Sequence, residues 1–251
     1  CMSDRGVQVC ISGNCMAGIL AIDTATEACS VAVYVDGEYR ELYEVIPRQH
    51  SQRLFDMLAD LLPDGQLQDH GIEAIAYSCG PGSFTGLRIA ASAVQGLAYT
   101  SQLPAIAVST LVLQAQTALR LGLVDAGSSV LSMLDARINE VSYRAGGFEG
   151  GLAVSRAGPV ACAPGDVTVD DAALPLHAVG SGGRFVRDVS AALQARLVSV
   201  SPELLPCARD LVPLALDSLQ RGSVQQPQQV QPVYVRDEIS WKKLAEQGKP
   251  A

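Results

Sequence analysis

Residues 80–88 read GPGSFTGLR, and they join an apolar run to a helical one. The run before them, Ile72-Glu73-Ala74-Ile75-Ala76-Tyr77-Ser78, has the length and content of a buried strand. It breaks at Gly80-Pro81-Gly82 and resumes as a helical pattern from Thr85 or Gly86 to Thr100. That helix carries one charge, Arg88, in a narrow polar stripe with Ser92, Gln95 and Tyr99. Leu87, Ala90, Ala91, Val94, Leu97 and Ala98 cover one side, and Ile89, Ala93 and Gly96 leave little polar surface on the other. A helix apolar nearly all round must be buried on more than one face. One sheet covers one face only, so a partner chain is expected on the rest.

Working outward, Gly18–Asp23 is a short apolar strand that ends on an acid. A turn follows, and Cys29–Val35 is Val-rich; Asp36-Gly37 is a hairpin signal because a two-residue turn needs positive φ. Glu38–Glu44 returns as a third strand. Leu54, Phe55, Leu58, Leu61 and Leu62 fall at helical spacing over 51–62, stopped by Pro63. A strand at Ala105–Ser109 and a helix at Thr110–Leu119 complete a βββαβαβα first half. The second half echoes it: Val130–Leu134 runs into Asp135, and a strand Glu140–Arg144 follows. Ala178-Val179-Gly180 enters a Ser181-Gly182-Gly183 loop, with helices expected over 184–197 and 207–221. Residues 223–232 are rich in Gln and Pro and read as a linker. The Val233–Trp241 segment carries apolar anchors able to dock back on the body.

At 251 residues the chain can build one large core or two modest ones. A formal charge of −8 disfavours direct binding to nucleic acid, so RNA would have to be held by a basic partner. No stretch has the apolar length of a membrane span. Of the seven cysteines, Cys29, Cys79, Cys162 and Cys207 show no metal-ligand spacing and Cys10 and Cys15 are at most a fragment of a metal site, which fits a reducing cytosol. Residues 1–15, with three of those cysteines, read as a leader outside the fold. Cys79, Ser83 and Thr85 are conceivable nucleophiles, but no His is near them in sequence. A basic cluster, Arg236, Lys242 and Lys243 beside Trp241, reads as a solvated terminus.

Two halves whose first strands end in Asp, with a Gly loop late in the second, resemble the actin/hexokinase/sugar-kinase ATPase superfamily. This implies an α/β, duplicated, ribonuclease-H-like fold of two domains, each a mixed central sheet flanked by helices. Within it DTATEACSVAV (23–33), GPGSFTGLRIAASAVQGLAY (80–99), MLDARINEVSY (133–143) and PVYVR (232–236) closely resemble the bacterial TsaB family, also called YeaZ. The likeness runs from Ala17 to Arg236, with domains expected at 16–112 and 113–222 and a linker and tail at 223–251.

The resemblance implies a non-catalytic subunit that forms a heterodimer with TsaD, its metal-binding relative, pairs with TsaE, and is linked functionally to TsaC. The complex uses ATP to place a threonylcarbamoyl group on the adenosine beside the anticodon of ANN-decoding tRNAs. This chain would reach tRNA only through the complex, would form a homodimer when alone, and would be cytoplasmic. Where TsaD-like chains hold the His pair of their metal site, this one has Thr110 and Gln114; its three histidines, His50, His70 and His177, are not paired, so no metal site is implied. The implied interface comprises Leu54, Phe55, Leu58, Leu61, Phe84, Leu87, Arg88, Ala91 and Val94. Asp23, Thr24, Thr26, Asp135, Gly180, Gly182 and Gly183 match the superfamily's nucleotide site. In a chain without the metal ligands they read as vestigial, with weak nucleotide binding at most and Asx-type turn capping as the plain alternative. The competing readings are a free-standing ATPase or kinase of this fold and a metalloprotease-like hydrolase.

Overall fold

A computed structural model describes residues 17–63, 66–156, 158–169 and 175–235; the expected leader and the basic cluster at 236–243 lie outside the described residues. The first half builds strands β1 (Gly18–Asp23), β2 (Ala28–Val35) and β3 (Glu38–Val45), helix α1 (His50–Leu61), β4 (Ile72–Gly80), α2 (Phe84–Ser101), β5 (Ala105–Ser109) and α3 (Thr110–Arg120). Its sheet runs β3-β2-β1-β4-β5, with β1 antiparallel to β2 and parallel to β4. The expected hairpin turn is present, Asp36 and Gly37 both at positive φ (52° and 87°).

β1 is central, so every one of its side chains is buried and successive residues feed different cores. Leu20 and Ile22 join Leu54, Met57, Ala90 and Val94 under α1 and α2. Ile19 and Ala21 face the other way, onto Leu113 of α3 and Leu211, Leu214 and Ala215 of α5 (Leu211–Gln220). β3, alternately polar, sits at the edge where one face meets water.

The second half contains β6 (Ser129–Arg137), β7 (Glu140–Glu149), β8 (Leu152–Ser155), β9 (Val160–Cys162), β10 (Leu176–Val179), α4 (Ala191–Gln194) and β11 (Leu197–Ser201). Read from the other edge, its sheet is β8-β7-β6-β10-β11, with β6 antiparallel to β7 and parallel to β10. Leaving aside β9, a sixth strand that pairs antiparallel with β7, the strands of the second sheet take the same places in chain order as those of the first. The duplicated architecture expected from the sequence is present.

Three local expectations fail. Residues 184–197 do not form one helix: the chain makes a 3-10 turn at Ser181–Phe185 and the four-residue α4, then β11. Leu197-Val198-Ser199-Val200-Ser201 alternates apolar and polar, and pairing with β10 outweighs any helical continuation. Residues 223–232 are no free linker, because Gln225 exchanges two backbone hydrogen bonds with Ala105 (2.8 and 3.0 Å) and Pro227 and Val230 are buried. The 112/113 division falls inside α3, whose Leu113 joins the first half's core while Ala115 and Ala118 pack with Val130 and Val179 of the second. Among the described residues no helix is long and apolar enough to cross a membrane.

Candidate partner interface

Two features converge on the N-terminus of α2: a cleft between the two sheets, and a groove along α1 and α2. The cleft holds about 910 Å³ and is lined by Thr26, Glu27, Arg48, Ser83, Thr85, Asp135, Arg137 and Ser181, among others. Among the sequence-derived nucleotide candidates, only Thr26 and Asp135 line it. Asp23 is fully buried beneath, its Oδ1 accepting from the Ala25 N–H (3.1 Å) and the Ser78 hydroxyl. Its Oδ2 finds no partner among the described residues, and burial pushes the carboxyl up to about 6. Thr24 is also buried and donates its hydroxyl to the Gly86 carbonyl (2.7 Å).

The glycines of GPGSFTG explain why these residues are sealed off. A Cβ at Gly82 would overlap the Ala25 carbonyl, and one at Gly86 the Thr24 carbonyl, so the start of α2 lies directly on the turn after β1. A Cβ at Gly180 would meet the Gln114 amide; at Gly182 it would lie 2.6 Å from Met133 Cβ, and at Gly183 3.1 Å from Val200. Those three serve close packing. Asp135 caps its own turn, Oδ1 accepting from the Arg137 N–H (2.8 Å), and its backbone N–H donates to Ser181 Oγ (3.1 Å). Asp23, sealed beneath the cleft, and Thr24, bonded to Gly86, do not line it, and the set does not fit a magnesium–phosphate group. No chemical step through such a group is drawn.

The groove is built from the faces of α1 and α2 that the sheet leaves uncovered. Here the structure corrects the sequence reading. Leu54, Leu87 and Val94 are wholly buried within the chain and Leu58, Leu61 and Ala91 nearly so, leaving little surface for a partner. Phe55 (57 % exposed), Phe84 (54 %) and Arg88 do face outward, and with Ile89 and Ser92 they line a groove of about 460 Å³. The exposed line continues through Gln95 to Tyr99, 66 % exposed. Spacings of four, four, three and four residues from Phe84 put all five on one helical stripe. The polar stripe read from the sequence is therefore the outward face.

The chain itself covers part of what a partner was expected to cover. Gln95 Nε2 donates to the Pro227 carbonyl (3.3 Å), and the Val233 N–H to the Cys79 carbonyl (2.7 Å), so the tail is strapped across α2 and the end of β4. Arg88 is accordingly paired within the chain: its Nε donates to Tyr234 Oη (3.0 Å) and its guanidinium lies 3.8 Å above the centre of the Phe84 ring. Tyr234, Ile89 and Tyr99 are surface members absent from the interface implied by the resemblance; the helical stripe contained Tyr99, and PVYVR contained Tyr234.

Hydrolytic chemistry finds little support. Burial pushes the Cys79 thiol up to about 11, away from the thiolate a nucleophile needs. Ser83 Oγ accepts from the Gly86 N–H (3.3 Å) and caps α2. Thr110 and Gln114 are fully buried, Gln114 Nε2 donating to the Leu204 carbonyl (3.3 Å). His50 Nε2 contacts the Ala28 carbonyl (3.1 Å) and His177 Nδ1 the Ser199 hydroxyl (2.7 Å). Among the described residues no group of three His, Cys, Asp or Glu is placed to hold a metal ion.

A family model described as TsaD, tRNA N6-adenosine threonylcarbamoyltransferase, matches residues 42–242. The tRNA threonylcarbamoyladenosine biosynthesis protein TsaB of Escherichia coli K12 is 38 % identical over 90 % of this chain and 97 % of its own length. Its Haemophilus influenzae counterpart is 31 % identical over 90 % and 96 %. The solved structure of YeaZ from Pseudomonas aeruginosa superposes with a TM-score of 0.79 at 38 % identity, covering 87 % of this chain and all of that one. Identity of this order, over nearly full lengths and on the same duplicated fold, leaves one assignment: the chain belongs to the TsaB (YeaZ) family.

Proposed function

We propose that this chain acts in tRNA threonylcarbamoyladenosine biosynthesis as a non-catalytic scaffold subunit that pairs with TsaD through α1 and α2. The observation that carries the reading is an open groove lined by exposed Phe55 of α1 and by Phe84 and Arg88 of α2, with exposed Tyr99 further along α2. Aromatic and Arg side chains grouped on one helical face are the composition of an interface centre. Membership of the TsaB family supplies the pathway, and the match to a TsaD model makes a paralogous partner the natural one. A scaffold role is further supported by the engaged states of Asp23 and Thr24 and by Gln114 and Thr110 standing where TsaD-like chains carry their His pair. In this reading ATP is consumed elsewhere in the complex, and the chain has no tight nucleotide or metal of its own. TsaE would dock on the paired subunits, TsaC would supply the activated carbamoyl donor, and tRNA would be held by the other members, all in the cytoplasm. The acidic balance of the chain agrees with that last division of labour.

Reconstituting threonylcarbamoyl transfer from the four purified proteins tests the proposal. Omission of this chain is expected to reduce product at least tenfold. Full activity without it would end the scaffold reading.

A further inference from the structure

The tail strap ends on the partner face, and the way it is fixed suggests why. Its backbone is tied at Gln225 to Ala105, and Tyr77 Oη, beneath it, donates to Gln225 Oε1 (3.0 Å) and accepts from the Gln231 N–H (3.3 Å). Beyond that, Val233 is tied to Cys79, and the strap passes so close to Gly80 that a Cβ there would overlap the Val233 carbonyl. These ties deliver the next side chain, Tyr234, onto α2. Its ring centre lies 5.5 Å from that of Phe84 at 34°, and its hydroxyl accepts from Arg88 Nε. Phe84, Arg88 and Tyr234 thus hold one another, yet all three remain exposed.

We infer that Tyr234 is a positioning residue of the partner face, holding Arg88 over the Phe84 ring in the orientation the partner subunit meets. This rests on the pairing proposed above. A long Arg on an open helix face loses rotamer freedom when it is bound; Tyr234 removes part of that freedom beforehand. Nε is committed to Tyr234, leaving the two terminal nitrogens for an acceptor on the partner. The cation–π contact strengthens once the partner excludes water from it.

Titration of purified TsaD with wild type, Y234F, Y234A, R88A and the R88A/Y234A double variant tests this, with melting temperatures measured alongside. Y234A is expected to weaken binding about tenfold with its melting temperature nearly unchanged, and Y234F about threefold, since it keeps the ring and loses the hydroxyl. In the R88A background Y234A should add less than about twofold, because its effect passes through Arg88. Binding by Y234A within twofold of wild type, or effects of R88A and Y234A that simply multiply, would overturn the inference and leave the pairing intact. Should Y234A fail to fold, Y234F carries the test, and wild-type affinity in it overturns the role of the hydroxyl. Failure of the wild type itself to bind would remove the pairing, and the inference with it.

Discussion

Asp23 is a carboxyl in the wrong solvent. It ends the central strand, is fully buried, and has one oxygen satisfied and one without a described partner. With the carboxyl pushed up from 3.8 to about 6, the folded chain binds this proton more tightly than the unfolded one does. The proton therefore stabilises the fold: this contribution is complete below pH 4, declines as pH rises towards 6, and is gone above it. A displacement of that size corresponds to something on the order of 3 kcal/mol. Asp23→Asn, neutral throughout, should lose this decline. Urea melts of both proteins from pH 4 to 7 should show wild type falling relative to the variant, and parallel profiles would contradict the assignment. Gly86 is a second such residue, for a steric reason. Its Cβ would enter the Thr24 carbonyl, which the backbone cannot easily vacate because Thr24 is itself bonded to Gly86. Gly86→Ala is expected to cost about 3 kcal/mol, read as a melting temperature lower by roughly 6–12 °C. A loss of under 1 °C would show that α2 does not rest on this turn.

Along α2, one helix face serves folding and the other is the proposed binding face. Leu87 and Ala91 lie in the core, so Leu87→Asp should lower the melting temperature steeply and yield little folded protein. Phe84→Asp and Phe55→Asp change only the outward stripe; both should melt close to wild type yet lose TsaD in gel filtration. Retained co-elution with both charged variants would place the interface elsewhere. How much of this is legible in the sequence follows from what each pattern reports. Periodicity marks α2 and its polar stripe, because burial of a helix is written in side chains three and four apart. It says that Leu87, Ala91 and Val94 are buried, but not against what; for Ala91 and Val94 the answer is the chain's own sheet and α1. The strap at 225–234 is hidden for a different reason. Its first tie, the backbone exchange of Gln225 with Ala105, and most of its side-chain ties run through Gln and Pro residues, which carry no periodic signature of burial. Likewise β11, which begins where the expected 184–197 helix ends, is not marked as a strand until its partner β10 supplies the hydrogen bonds.

At the scale of the molecule, duplication builds two sheets of one topology, and α3 and α5 tie them together through the first sheet's inner face. That sandwich leaves the outer sides of α1 and α2 exposed, with Phe55, Phe84 and Tyr99 on them. Exposed aromatic side chains set among polar ones, as Phe55, Phe84 and Tyr99 are here, mark a site for association. With no TsaD present, the same stripe on a second copy is the available cover, and a two-fold arrangement would set Phe55 and Phe84 of one protomer against those of the other. A dimer of ordinary stability needs about 1,500 Å² in all, within reach of two helices a side. Sedimentation of the chain alone should therefore give a dimer that dissociates on dilution. An equimolar amount of TsaD should replace it by the heterodimer if, as proposed, both assemblies use one surface and exclude each other. Phe84→Asp should sediment as a monomer in both mixtures. If the homodimer persists in that variant, or binds TsaD without dissociating, the two assemblies use different faces and the shared-surface account fails.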